Sequence, residues 1–211
     1  MSQLMPQLNL SHLPLQQALV DSIYHAFIDH EDVLAAVLLG SLAAETGDRV
    51  SDADVIVFTT NGFHRTSDLA YRAFESNKEI FYCLGGFHND HAFFKKYIFN
   101  DMTSAEIHCL DLEEPFMLSK PYKVLFDKSD IVTSRLTDAP APKHKDFPAY
   151  TSGDQGLIWE LFDCIKWLSR DNTNLAKDYI KKLANKLKTR PVPHWYGDSL
   201  NRPILYIFSG L

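Results

Sequence analysis

Apolar positions recur along this chain in two rhythms. Leu15, Leu19, Ile23 and Phe27 stand at helical spacing after Ser11, which predicts a capped, core-facing helix running to about His30. Val33 to Leu42 then carries no charge; it is too short to span a bilayer and reads as a buried strand over Val33 to Leu39. Gly40-Ser41 closes that run, with a turn opening a short helix after Ser41, and Asp54 to Thr60 reads as a second strand. Asn61-Gly62 breaks the chain, Ser67 to Ser76 predicts a helix and Lys78 to Leu84 a strand, and Gly85-Gly86 reads as another break. Further strands are expected over Lys96 to Phe99, Ala105 to Leu112 and Lys123 to Asp127. The expected fold is α+β, a mixed-sheet domain over residues 1–137.

Residues 138–152 contain three prolines and little apolar periodicity, which marks a linker. Beyond it, residues 153–211 are expected to form a small helical C-terminal region. Leu157, Leu161, Cys164, Ile165 and Leu168 make one helical stripe. A second helix is expected from about Asn172 to Leu187, carrying Leu175, Tyr179, Leu183 and Leu187, with Pro191 and Pro193 stopping it. No internal repeat interrupts this order.

Composition narrows the class. With 45% hydrophobic and 23% charged residues among 211, the chain reads as a soluble globular protein. A net charge of -6 disfavours broad nonspecific binding to nucleic acid and favours a small-molecule partner. Cys83, Cys109 and Cys164 are odd in number and have no paired spacing, so they read as reduced thiols of a cytoplasmic protein. The start of the chain lacks the basic and apolar regions of a signal peptide, and no membrane span is expected.

The chemistry concentrates at Gly40-Ser41 and Ser51-Asp52-Ala53-Asp54. In a strand, residues i and i+2 share a face, so Asp52 and Asp54 present their carboxylates side by side. Two carboxylates so close repel, and unless one is protonated the pair is best tolerated around a hard divalent cation such as Mg²⁺ carrying a substrate polyphosphate. Glycine lets backbone amides approach a phosphate, and a serine hydroxyl can donate to it. The plainer alternative is a pair of exposed aspartates at a strand start.

Gly-Ser, a gap of about ten residues and Asp-x-Asp, bounded by two apolar strands, resembles the signature of the nucleotidyltransferase superfamily that includes DNA polymerase beta. Two aspartates leave room for one more ligand from a later strand, and Glu106 in Ser104-Ala105-Glu106-Ile107-His108 is the best candidate. A buried carboxylate there is costly without a partner, and Glu106 shares its face with His108. The alternatives are a solvated strand glutamate and a histidine that only orients a neighbour.

The order Asn89-Asp90-His91, Tyr97-Ile98-Phe99-Asn100, Ala105-Glu106-Ile107-His108 and Val124-Leu125-Phe126-Asp127 narrows the resemblance to antibiotic-modifying nucleotidyltransferases of the lincosamide type. It covers roughly residues 33 to 188, and its specific part is the Gly-Ser/Asp-x-Asp element. It implies Mg²⁺ on Asp52, Asp54 and Glu106, with Gly40 and Ser41 on the β- and γ-phosphates. Many relatives carry a basic residue and a glycine where this chain has Ala44 and Glu45; Arg49 is the nearby candidate to replace the lost phosphate contact. The helical part is short for an acceptor pocket, which makes a homodimer one arrangement that would complete it.

The function expected from this resemblance is transfer of a nucleoside monophosphate from a nucleoside triphosphate, ATP foremost, to a hydroxyl of a small molecule such as an antibiotic, releasing pyrophosphate. Glu106 is then either a metal ligand or the general base. Glu160 on the first C-terminal helix is a second candidate base, with an exposed helix glutamate as its plainer reading. Two other functions stay open. One is a minimal nucleotidyltransferase modifying a protein partner, as in toxin–antitoxin pairs, and the other is a catalytically silent protein that binds nucleotide or a partner.

Overall fold

The computed structural model describes residues 8–142 and 148–189. Among these, 8–142 form one compact unit and 148–189 a second. Pro191, Pro193 and part of the expected linker lie outside the described residues.

In the first unit, helix α1 (Pro14–Phe27) starts later than the sequence predicts, with Pro14 in its first turn, where the missing N–H costs nothing. Ser11 is not its cap, because its hydroxyl donates to Asn9 Oδ1 at 2.9 Å. The chain continues through β1 (Val33–Leu39), α2 (Gly40–Ala43), β2 (Ala53–Thr59), α3 (Phe63–Thr66), α4 (Asp68–Glu75), β3 (Ile80–Asn89), β4 (Ala92–Phe99), β5 (Ser104–Asp111) and β6 (Tyr122–Asp127), and then a 3-10 turn at Val132–Arg135. The six strands form one sheet in the order β3-β4-β5-β2-β1-β6. The β2–β5 pair is parallel and the other four pairs are antiparallel, so the sheet is mixed and the fold is α+β.

Gly85-Gly86 does not break β3. The two glycines pair with Lys95 and Phe94 in the β3–β4 hairpin, and a Cβ on Gly85 would stand 3.2 Å from Lys95 Cγ. Here glycine signals close packing within a strand rather than its end.

The sheet has two unlike faces. Leu19, Val20, Ile23 and Phe27 of α1 and Ala70, Tyr71 and Phe74 of α4 pack on one face against Val55, Val57, Ile107 and Cys109. On the other face Val37, Ile56, Phe58 and Leu110 pack with Leu118 and Val132. Strand alternation continues this second set backwards from Ile56 to Asp54 and Asp52, and from Leu110 to His108 and Glu106. The polar positions thus occupy one end of the face opposite α1 and α4.

The second unit is a pair of helices, α5 (Gly153–Ser169) and α6 (Thr173–Thr189), packed through Trp167 and Tyr179, whose ring centroids are 5.2 Å apart. Its core comprises Ala149, Tyr150, Cys164, Trp167, Ala176, Tyr179 and Leu183. The expected stripe on α5 is corrected: Leu161, Ile165 and Leu168 are about half exposed, whereas Trp159, Phe162 and Trp167 are buried. The aromatic side chains bury more surface per residue than the leucines and set the rotation of the helix. On α6, Tyr179 and Leu183 are buried as expected, while Leu187 is exposed. Among the described residues no helix is long and apolar enough to cross a membrane.

Candidate functional site

Asp52 directly precedes β2 and Asp54 is its second residue. In the parallel ladder Asp54 is the partner of Glu106 on β5, so their side chains leave the sheet on the same face. Asp52, Asp54 and Glu106 each bring one carboxylate oxygen to within 4.8 Å of the others. They are buried, at 4%, 2% and 0% exposure, so neither the exposed-turn reading of the aspartates nor the solvated reading of the glutamate describes them.

Specific neighbours hold this charge in place. The Ser104 hydroxyl donates a short hydrogen bond to Asp52 Oδ1. Lys96, opposite Glu106 on β4, places its Nζ 2.7 Å from Glu106 Oε2. His108 Nε2 lies 3.4 Å from the same oxygen, and His108 Nδ1 lies 3.3 Å from His88 Nε2. His88 stacks on Phe94 with centroids 4.2 Å apart. Burial, the neighbouring His108 and the Lys96 ammonium push the His88 pKa down to about 2. Burial, with Lys96 behind it, also holds His108 well below its ordinary value. Both rings are therefore neutral near pH 7.

Gly40 and Ser41 leave β1 beside this site, because Leu38 pairs with Val55 and the next antiparallel positions run alongside Asp54 and Asp52. Gly40 has φ 69, a left-handed conformation that a side chain would strain, and this turn redirects the chain into α2. Ser41 is half-buried, and its carbonyl accepts the Thr46 N–H at 3.0 Å. Asp48 and Ser51 tie the loop before Asp52: the Ser51 hydroxyl donates to Asp48 Oδ1 at 3.0 Å and accepts the Asp48 N–H at 2.9 Å. Arg49 is exposed, and Gln16 Nε2 donates to its carbonyl at 2.7 Å. Glu45 pairs with Lys123 at 3.1 Å on the surface.

Sequence reasoning missed Lys96, His88 and Ser104. Lys96 shares its face of β4 with Phe94 and Ile98, a pattern the alternation gives, but its meeting with Glu106 depends on strand register, which no local pattern encodes.

Glu160 belongs to the second unit and is neither exposed nor idle. Its carboxylate accepts from Tyr150 N at 2.9 Å, Thr151 N at 3.2 Å and the Tyr179 hydroxyl at 3.0 Å. These bonds join α5, α6 and the segment before them. Trp159 and Asp163 are buried as well, and Asp163 Oδ1 meets Lys166 Nζ at 2.6 Å.

Three converging carboxylates form an all-oxygen donor set, the chemistry a hard divalent cation such as Mg²⁺ selects over softer metals. The chain matches no protein-family model, and no curated protein matches it.

Proposed function

We propose that the chain is a Mg²⁺-dependent nucleotidyltransferase, which moves a nucleoside monophosphate from a nucleoside triphosphate such as ATP to a hydroxyl of a small molecule and releases pyrophosphate. The observation that carries this reading is the convergence of Asp52, Asp54 and Glu106 within 4.8 Å, at the sheet end where Gly40-Ser41 leaves β1. The resemblance to nucleotidyltransferases supports it through the same residues.

Asp52, Asp54 and Glu106 would hold the metal, which when bound neutralises phosphate charge and makes the attacking hydroxyl more acidic. Gly40 and Ser41 would meet the phosphates through the backbone amides and the serine hydroxyl. The acceptor oxygen bonds to the α-phosphorus as the bond to the bridging oxygen breaks, the electron pair leaves with pyrophosphate, and the hydroxyl proton passes to solvent or a carboxylate. Positioning accounts for most of the rate. Ser104, Lys96 and His108 hold Asp52 and Glu106 in place for it. The charge of -6 favours a small acceptor, antibiotics among them, over a nucleic acid end. The three free thiols fit a reducing cytoplasm.

The test is incubation of the protein with each labelled nucleoside triphosphate, Mg²⁺ and a panel of hydroxyl-bearing acceptors. Acceptor-dependent release of pyrophosphate and a labelled adduct are expected. Nucleotide binding without transfer to any small molecule, or labelling of a protein instead, would sink the reading.

A further inference from the structure

A second cluster stands apart from the acidic triad and shares no residue with it. His91 lies in the β3–β4 turn, Asp111 ends β5 and Glu113 lies just beyond; one donor atom from each falls within 4.8 Å of the others. Beside them His64, on α3, is only 3% exposed, and its Nδ1 faces Asp111 Oδ2 at 3.5 Å without a hydrogen bond.

His64 Nε2 is 2.9 Å from the carbonyl of Asp90, and Arg65 Nε approaches the same nitrogen at 3.3 Å. Nδ1 is the ring nitrogen that these contacts leave over, and it is buried facing a carboxylate of the cluster.

We propose that His91, Asp111 and Glu113, with the buried His64 beside Asp111, form a site for a zinc-type transition-metal ion. Imidazole nitrogens select such ions over Mg²⁺, and two carboxylates balance a double positive charge. The spacing agrees with this. Two donors about 2.1 Å from a tetrahedral centre stand about 3.4 Å apart. The pairs His64 Nδ1–Asp111 Oδ2 and His91 Nδ1–Glu113 Oε2 are each 3.5 Å apart.

The backbone preorganises the cluster. The Asp111 N–H donates to the His91 carbonyl at 2.8 Å, the His91 N–H to Asn89 Oδ1 at 2.8 Å, and the Glu113 N–H to Asp111 Oδ1 at 3.1 Å. His64 is fixed on the inner side, while His91 and Glu113, 41% and 76% exposed, close from the solvent side. The ion would clip the β3–β4 hairpin and α3 to the end of β5.

The full-length protein, stripped with a chelator, is titrated with Zn²⁺ by calorimetry. Parallel titrations use His91→Ala/Glu113→Gln, whose exposed positions spare the core, and Asp52→Asn/Asp54→Asn, which keeps the second cluster intact. A single zinc equivalent is expected in the wild type and in the Asp52→Asn/Asp54→Asn protein, undisturbed by excess Mg²⁺. Its affinity should fall about 100-fold or more in His91→Ala/Glu113→Gln. Co²⁺ in place of Zn²⁺ should give a tetrahedral absorption band that the same pair of substitutions removes. Absence of zinc binding, or equal binding by His91→Ala/Glu113→Gln, overturns the site. Loss of nucleotide transfer in Asp52→Asn/Asp54→Asn bears only on the triad, so the two proposals fail separately.

Discussion

Asp54 and Glu106 are direct partners across the parallel β2–β5 ladder, the single parallel pair in the sheet. A parallel pair needs a crossover, and here it consists of α3, α4, β3 and β4. The two acids are far apart in sequence, yet both belong to central strands buried on both faces. A carboxylate pair in that position is costly to desolvate, which is the physical reason for proposing a cation there beside the Lys96 ammonium.

Asp52→Asn and Asp54→Asn should each lower nucleotide transfer by about a thousandfold or more, the scale seen when charge stabilisation at a reacting centre is removed. The fold should survive, because asparagine keeps the shape and an acceptor oxygen for Ser104. Without Mg²⁺ the melting temperature should hold or rise, since like-charge repulsion is relieved. Paired rate and melting measurements check this, and near wild-type turnover would remove the site assignment.

Lys96→Met takes away the ammonium 2.7 Å from Glu106 and leaves a carboxylate at 0% exposure with less positive charge around it. Breaking a buried ion pair from one side costs roughly 3 kcal/mol. Urea unfolding should show that loss, and saturating Mg²⁺ should restore more stability to the variant than to the wild type. Equal Mg²⁺ stabilisation of both proteins would argue against an ion on Glu106.

Acid should destabilise the protein through His88. Its folded pKa, near 2, lies below the unfolded value of about 6.5, so the unfolded chain takes up a proton that the folded chain refuses. Stability from this source is complete above pH 6.5 and is lost as pH falls below it. Between pH 6.5 and 5 the loss is at most about 2 kcal/mol, at about 1.4 kcal/mol per pH unit. His88→Gln should flatten that part of the profile in urea titrations; an unchanged slope would show that His88 does not stay neutral.

The sequence carried the strands well, because β1, β2 and β5 are apolar runs with sharp polar ends. It also carried Asp52, Asp54 and Glu106, whose type and alternation pointed to one face. What it could not carry was register. Lys96 beside Glu106 and His88 beside His108 depend on how β3, β4 and β5 pair, and no window along the chain contains that information. Gly85-Gly86 misled for a local reason, since glycine serves close strand packing as readily as it ends a strand. On α5 the leucine spacing misled because the buried positions include Glu160, Asp163 and Lys166, polar residues whose partners come from other turns or segments.

Glu160 separates a structural role from a chemical one. Three donors, the N–H groups of Tyr150 and Thr151 and the hydroxyl of Tyr179, converge on its two oxygens. Glu160→Gln replaces one acceptor oxygen with an NH₂ that faces donors, so at least one buried donor loses its partner at about 1–3 kcal/mol. Tyr179→Phe removes one bond and should cost about 1 kcal/mol. The two losses should not add in the double variant, because they share that bond. If Glu160 is the tie that holds α5 and α6 to the preceding segment, Glu160→Gln lowers the unfolding midpoint while each folded molecule transfers at close to the wild-type rate. If instead the rate collapses and the midpoint stays, Glu160 acts as a base, and its three hydrogen bonds must open during turnover.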